Sequence, residues 1–266
     1  MEARIAELIA PLRAAAGTAA VLCDVDGTLA PIVDDPGSAT VPVGTQKVLR
    51  ALAQRYAVVA CVSGRRAAEA RRLVGIQELT YAGNHGLELL APGAEATVDL
   101  APTEGGLAAR AFVGELQEST LADAGLRLED KGPIQALHWR TAPDEGAAER
   151  LASEVAAGAR KAGLEPRWGR RVLEIRPTSG IDKGTAVRRL LSAQRIDRAL
   201  FGGDDRTDLD AFRALRSLGA AGSLVAAVCI GIDSAEAPEE LSAEADAVVA
   251  GTEEFLGVLR ALAEPG

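Results

Sequence analysis

The chain has 266 residues, 48% of them hydrophobic and 25% charged, which is the balance of a folded globular protein with enough apolar material for one large or two modest domains. Its formal net charge of −9 repels nucleic acid and anionic membranes, so neither is an expected partner, and any phosphate site must bring its own cations or a metal. Cys23, Cys61 and Cys229 sit in apolar runs and form neither a disulfide framework nor a zinc set, no segment reaches the roughly 20 apolar residues of a membrane span, and charges interrupt the first residues where a signal peptide would be apolar. A monomer in a reducing cytoplasm is the expectation.

In chain order, Ile5, Leu8, Ile9 and Leu12 follow helical spacing. The apolar run 19–23 stops at Asp24-Val25-Asp26-Gly27-Thr28-Leu29. A second run, 57–62, stops at Ser63-Gly64-Arg65 and leads into a helical pattern. Further runs cover 79–83, 199–203, 224–232 and 247–251. Uninterrupted apolar strands suit a parallel sheet covered on both faces, and their alternation with helices predicts a doubly wound α/β core. The middle differs. Residues 107–122 and 144–162 read as helices, and 126–131, 134–140, 165–168 and 171–176 as short strands. Leu126 and Leu128 alternate with Arg127 and Glu129, which implies one buried and one open sheet face. The reading is a small α+β insert at 103–178 within a core made of 1–102 and 179–266.

Four short motifs carry chemistry. Asp24 and Asp26 stand two apart at a strand end, so their side chains point the same way, and converging carboxylates call for a hard cation such as Mg2+. Ser63, at the next strand end, either caps the following helix or offers a hydroxyl to a phosphate. Asp182-Lys183-Gly184 opens a helix with an ammonium near its positive end, an arrangement that asks for a compensating anion. Lys183 is one of only four lysines among 29 basic residues. Gly203-Asp204-Asp205-Arg206-Thr207-Asp208 brings further carboxylates to another strand end, Asp204 best placed for a metal and Asp208 one helical turn on.

This order of motifs resembles the haloacid-dehalogenase superfamily of phosphohydrolases. The resemblance implies a Rossmann-like core of parallel strands flanked by helices, with the insert as an α+β cap. It implies Asp24 as a covalent nucleophile and Asp26 as general acid, then base. Mg2+ would be held by Asp24, the backbone carbonyl of Asp26, Asp204 and, in support, Asp208. Ser63 and Lys183 would hold phosphoryl oxygens, with Thr28 helping through its backbone.

Longer stretches are similar to trehalose-6-phosphate phosphatases: 24–36, AGNHGLE at 82–88, LEDKGPIQALHWR at 128–140, VLEIRP at 172–177 and GDDRTDLDAF at 203–212. They imply hydrolysis of trehalose 6-phosphate, a functional pairing with a trehalose-phosphate synthase, and glucose contacts from Glu129, Lys131 and Glu174. Arg65, Asn84, His85, His138 and Arg140 join the substrate set, His138 and Arg140 on one strand face and His85 beside the sugar entrance. Closure of the insert over the core would exclude water. A phosphatase for another sugar phosphate, such as sucrose phosphate or mannosyl-glycerate phosphate, is the alternative, and a non-catalytic phosphosugar-binding module a more distant one.

Overall fold

The structure, a computed structural model, describes residues 2–33, 36–95, 97–99, 103–169, 171–178, 180–234 and 237–264. In chain order the elements are α1 (Glu2–Ala14), β1 (Ala19–Cys23), α2 (Val43–Ala53), β2 (Val58–Val62), α3 (Ala67–Val74), β3 (Thr80–Gly83), β4 (Glu88–Leu90), β5 (Val98–Asp99), α4 (Thr103–Gly114), α5 (Glu118–Asp123), β6 (Arg127–Asp130), β7 (Gln135–His138), α6 (Glu145–Lys161), β8 (Glu165–Gly169), β9 (Val172–Arg176), α7 (Lys183–Ser192), β10 (Arg198–Gly203), α8 (Asp208–Ala220), β11 (Ala226–Asp233), α9 (Leu241–Glu244), β12 (Ala247–Ala250) and α10 (Gly251–Ala263). Two compact units result, Met1–Asp99 with Ile181–Gly266, and Leu100–Gly180.

The first unit holds an eight-stranded sheet in the order β12-β11-β10-β1-β2-β3-β4-β5. Strands β12 to β3 are all parallel, and β4 turns back antiparallel on β3. Successive strand residues feed opposite faces. Val21, Cys23, Val59 and Cys61 pack under Ile9, Leu12, Leu49 and Leu259 of the helices on one face. Ala20, Leu22, Ala60 and Val62 pack under Val187, Leu191, Phe212 and Leu215 of α7 and α8 on the other. This two-sided burial is why the strands read as unbroken apolar runs. The three cysteines are buried thiols within these layers.

The chain leaves β1 toward β2 and β3 on one side and returns through β10, β11 and β12 on the other. The carboxyl end of β1 is therefore the topological switch point, where a crevice opens in sheets of this kind. Asp24 stands there, its N–H donating to Gly202 O of β10 at 2.9 Å.

The second unit is a four-stranded antiparallel sheet, β6-β7-β9-β8, with its own core around Leu137, Leu173, Ile175, Ala152 and Trp139. Three expectations change here. The helix over 107–122 is two helices, because Gly114 ends the first and Leu116 N–H turns back to Val113 O. The strand over 134–140 ends at His138. Trp139 N–H goes to Arg171 O and Ala142 N–H to Trp139 O, so Arg140 lies in a turn and does not share the strand face of His138. In the first unit, the run at 224–232 begins as a strand only at Ala226, since Leu224 N–H still bonds back to Leu218 O beyond α8. Among the described residues no helix is long and apolar enough to cross a membrane.

Candidate active site

At the switch point, the carboxylates of Asp24, Asp204 and Asp208 offer oxygens within 4.8 Å of one another, all three residues buried. Lys183, the first residue of α7 and 1% exposed, reaches into them. Its Nζ donates to Asp24 Oδ1 at 2.7 Å and to Asp208 Oδ1 at 2.7 Å, with Asp205 Oδ1 at 3.7 Å. The helix dipole that disfavours an ammonium at this end is offset by these anions and by Asp182, whose side chain caps α7 through Thr185 N–H at 2.7 Å.

The electrostatics of the cluster follow from burial. Burial pushes Asp24 well above the usual carboxylate range although Lys183 pulls it down, and the same opposition leaves Asp208 raised. Burial and the Asp208 charge push Asp204 up to about 8, against the hydroxyl of Ser234. Burial opposes the charge on Lys183, yet Asp205, Asp208 and Asp24 outweigh it and hold the ammonium well above its ordinary range. Asp205 goes the other way, to about 2: burial raises it, but Lys183 and bonds from Thr207 and Asp208 prevail.

Each carboxylate has distinct neighbours. Asp204 accepts from Thr28 Oγ1 at 3.0 Å and Ser234 Oγ at 2.6 Å, one on each oxygen. Asp208 Oδ2 takes the N–H groups of Asp204 and Asp205, each at 2.9 Å, so both its oxygens are engaged. Gly27, at φ +79°, lies so close that a Cβ there would collide with the Asp204 carboxylate. The buried set of hard oxygen donors, crowded beyond what one ammonium neutralises, fits a divalent cation of the Mg2+ class. Asp24, Asp204 and Asp208 each offer an oxygen to such an ion, and Asp208 also binds Lys183 and the 204–205 backbone.

Asp26, two residues beyond Asp24, meets a cation of its own. Its carboxylate belongs to Arg65, which grips it with Nε and Nη2, each at 2.7 Å, while Arg65 Nη1 reaches Glu69 Oε1 at 2.6 Å. Strand β1 ends at Cys23, so Asp24 and Asp26 both lie just beyond it. Ser63 does not cap α3. That helix begins at Ala67, and Ser63 Oγ instead accepts from Arg65 N–H at 3.1 Å. Asn84 and His85 are buried at the end of β3, in a turn against Ser63 and Arg65. Thr28 is fully buried.

On the insert sheet, Glu129 pairs across Ala136 with Glu174, so both carboxylates lie in one row of one face. Lys131 Nζ bonds Glu174 Oε1 at 3.1 Å, and His138 Nε2 lies 2.7 Å from Glu129 Oε2. The His138 bond holds Glu129 below its ordinary range against burial; burial opposes the Lys131 charge, but Glu174 and Glu129 keep its ammonium raised. Arg176, also buried, grips Glu174 Oε2 through Nε at 2.9 Å and Nη2 at 2.5 Å. Arg176, Asp205, Ser234 and Glu88 were not singled out in the sequence. Asp205, Glu88 and Arg176 lie inside quoted motifs, at 203–212, 82–88 and 172–177, whereas Ser234 lies outside them all.

A family profile described as trehalose-phosphatase matches residues 22–244. The chain is 38% identical over 209 residues to an uncharacterized glycosyl hydrolase of Mycobacterium tuberculosis, covering 75% of this chain and 15% of that one. It is 35% identical over 207 residues to the trehalose-phosphate phosphatase of Mycobacterium marinum, covering 76% and 53% respectively. It thus spans about half, or much less, of the length of these relatives. Among solved structures, the C-terminal domain of Candida albicans trehalose-6-phosphate phosphatase superposes with a TM-score of 0.76 at 22% identity, covering 97% of this chain and 96% of that one, a likeness of fold.

Proposed function

Because the chain belongs to the trehalose-phosphatase family, we propose that it hydrolyses trehalose 6-phosphate to trehalose and inorganic phosphate with Mg2+ as cofactor. The observation that carries this reading is the buried cluster of Asp24, Asp204 and Asp208 around Lys183 at the switch point. A carboxylate of Asp24 attacks phosphorus, and the bond from phosphorus to the sugar oxygen breaks as that oxygen takes a proton from Asp26. Water then gives a proton to Asp26 and attacks the same phosphorus, the bond to Asp24 breaks, and inorganic phosphate leaves. Lys183 and the Ser63 loop hold the phosphoryl oxygens. A Mg2+ bound by Asp24, the Asp26 carbonyl and Asp204 supplies charge neutralisation for the transferring group.

Arg65 has a defined part in this scheme. While it grips Asp26 on both oxygens, that carboxylate is an acceptor with no proton to donate. Turning the guanidinium to the incoming phosphoryl oxygens frees Asp26 to act as the acid. The polar row of Glu129, Lys131, His138 and Glu174 recognises the sugar hydroxyls, carboxylates accepting and lysine donating, and the substrate's supplier is a trehalose-phosphate synthase.

The test is phosphate release from trehalose 6-phosphate, with Mg2+ and with EDTA, beside glucose 6-phosphate, sucrose 6-phosphate and an aryl phosphate. Mg2+-dependent preference for trehalose 6-phosphate, abolished by Asp24→Asn, is the expected result. Activity confined to another sugar phosphate discards the substrate and keeps the chemistry. Unchanged turnover in Asp24→Asn overturns the nucleophile.

A further inference from the structure

Glu88 is a carboxylate that the proposed chemistry does not use, yet it is only 4% exposed. It lies on β4, and each of its oxygens takes a different donor. Oε2 accepts from the backbone N–H of Ala67, the first residue of α3, at 2.9 Å. Oε1 accepts from Asn84 Nδ2 at 2.8 Å, with Arg66 Nε at 3.5 Å. The helix's own N-cap position, Arg66, makes no side-chain cap bond, so Glu88 supplies from a neighbouring strand the negative charge that a helix start favours.

Its second partner belongs to an unusual turn. Asn84 and His85 follow one another in the left-handed region, at φ 48° and 57°, where residues with a Cβ persist only when their surroundings over-determine them. That turn is stitched to the loop after β2. Asn84 N–H donates to Arg65 O at 2.7 Å, His85 N–H to Ser63 O at 2.9 Å, and Ser63 N–H to Ala82 O at 2.9 Å. The His85 imidazole lies on Gly64, where a Cβ would stand 2.8 Å from its Cε1 and Nε2. The loop that offers Ser63 is thus held from below by the Asn84–His85 turn and from behind by the start of α3, and both supports meet at one carboxylate.

We propose that Glu88 is a positioning residue for the oxyanion-holding loop Ser63-Gly64-Arg65, acting through Asn84–His85 and the first turn of α3, and that the segment 82–88 serves phosphate binding rather than the sugar. The inference rests on the reading of Ser63 as a phosphoryl contact. A carboxylate suits the place because it accepts on both oxygens at once. Glutamine would present an NH2 group to one of two donors and break one arm of the support.

The experiment is a swap of polarity. Glu88→Gln is compared with the pair Glu88→Gln/Asn84→Asp, in which the amide now on β4 donates to the carboxylate now in the turn and still accepts from Ala67 N–H, at unchanged net charge. Each protein is assayed for kcat and KM on trehalose 6-phosphate, and for affinity toward inorganic phosphate by calorimetry in the presence of Mg2+. Glu88→Gln is expected to lower kcat about 10-fold or more, since misplacement of a reacting group by an ångström costs up to about 100-fold, and to weaken phosphate affinity about as much. The swapped pair is expected to recover most of both. A merely structural role lowers the melting temperature and leaves kcat per folded molecule and phosphate affinity at wild-type values, and that result overturns the proposal. A folded swapped pair no better than Glu88→Gln overturns it too. If trehalose 6-phosphate is not hydrolysed even by the wild type, the substrate reading fails by itself and the phosphate affinities still decide the role of Glu88.

Discussion

Replacing Lys183 by methionine removes the ammonium that sits among the three buried carboxylates while leaving almost the same volume. Lys183 is 1% exposed and makes two bonds of 2.7 Å, to Asp24 and Asp208. Breaking a buried ion pair from one side costs about 3–5 kcal/mol, because the remaining charge has no partner. The cost depends on pH in a defined direction. Burial already holds Asp24 and Asp208 above the ordinary carboxylate range, and losing Lys183 takes away the charge that pulls them down. An acid whose folded pKa is raised contributes stability that is lost as pH rises from its unfolded value, roughly 3.9, through its folded one. Lys183 itself, with its folded pKa raised, contributes stability that stays intact until pH passes the ordinary lysine range and is lost only as pH rises through the folded value. In metal-free protein the deficit of Lys183→Met is therefore smaller at pH 5 than at pH 8, where it is expected to reach about 3–5 kcal/mol. Urea unfolding in EDTA at the two pH values measures it. A deficit equal at both pH values, or below about 1 kcal/mol at pH 8, refutes the account of Lys183 as the cluster's counter-charge. Mg2+ is expected to raise the variant's stability more than the wild type's, since it replaces the missing cation.

The other expectations concern residues that orient rather than react. Ser234→Ala removes the 2.6 Å bond to Asp204 Oδ2 and is expected to weaken Mg2+ binding about 10-fold in calorimetry, as loss of an outer partner of a metal ligand does. Unchanged affinity would show that Thr28 alone sets the carboxylate. Glu174→Gln leaves Lys131 and Arg176 without the carboxylate they share. The ratio of kcat/KM on trehalose 6-phosphate to that on an aryl phosphate is expected to fall about 10-fold or more, because a site built to bond hydroxyls discriminates through those bonds. An equal fall on both substrates would count against the insert sheet as the sugar face.

The sequence displays what is local and hides what is paired over distance. Uninterrupted runs such as 19–23 and 199–203 declare a sheet buried on both faces, and Asp24, Asp204 and Lys183 are legible because each stands at a strand or helix end. Arg65 is legible as an active-site residue but not as the partner of Asp26, 39 positions away. The same limit hides Ser234, which meets Asp204 from the end of β11, and Glu88, which meets Ala67 from β4. Arg176 is a local case: its guanidinium turns back to Glu174, two residues earlier on the same strand. Periodicity misleads at Arg140, because alternation applies only while the strand lasts and β7 ends at His138.

The charge balance of the site bears on how an acidic protein would take the doubly charged ester proposed as its substrate. Asp24, Asp26, Asp204, Asp205 and Asp208 face Lys183 and Arg65, so the cluster is short of positive charge before any phosphate arrives. In the absence of metal the shortfall is met by protons, which is what a pKa of about 8 at Asp204 means at neutral pH. A divalent cation displaces those protons, because carboxylates bind metals as anions. Metal uptake at this site would then be an exchange of protons for a divalent cation, which brings five carboxylates and two fixed cations to within one charge of neutrality. A phosphate dianion would meet less repulsion once the exchange is made, so metal before ester is the expected order of binding.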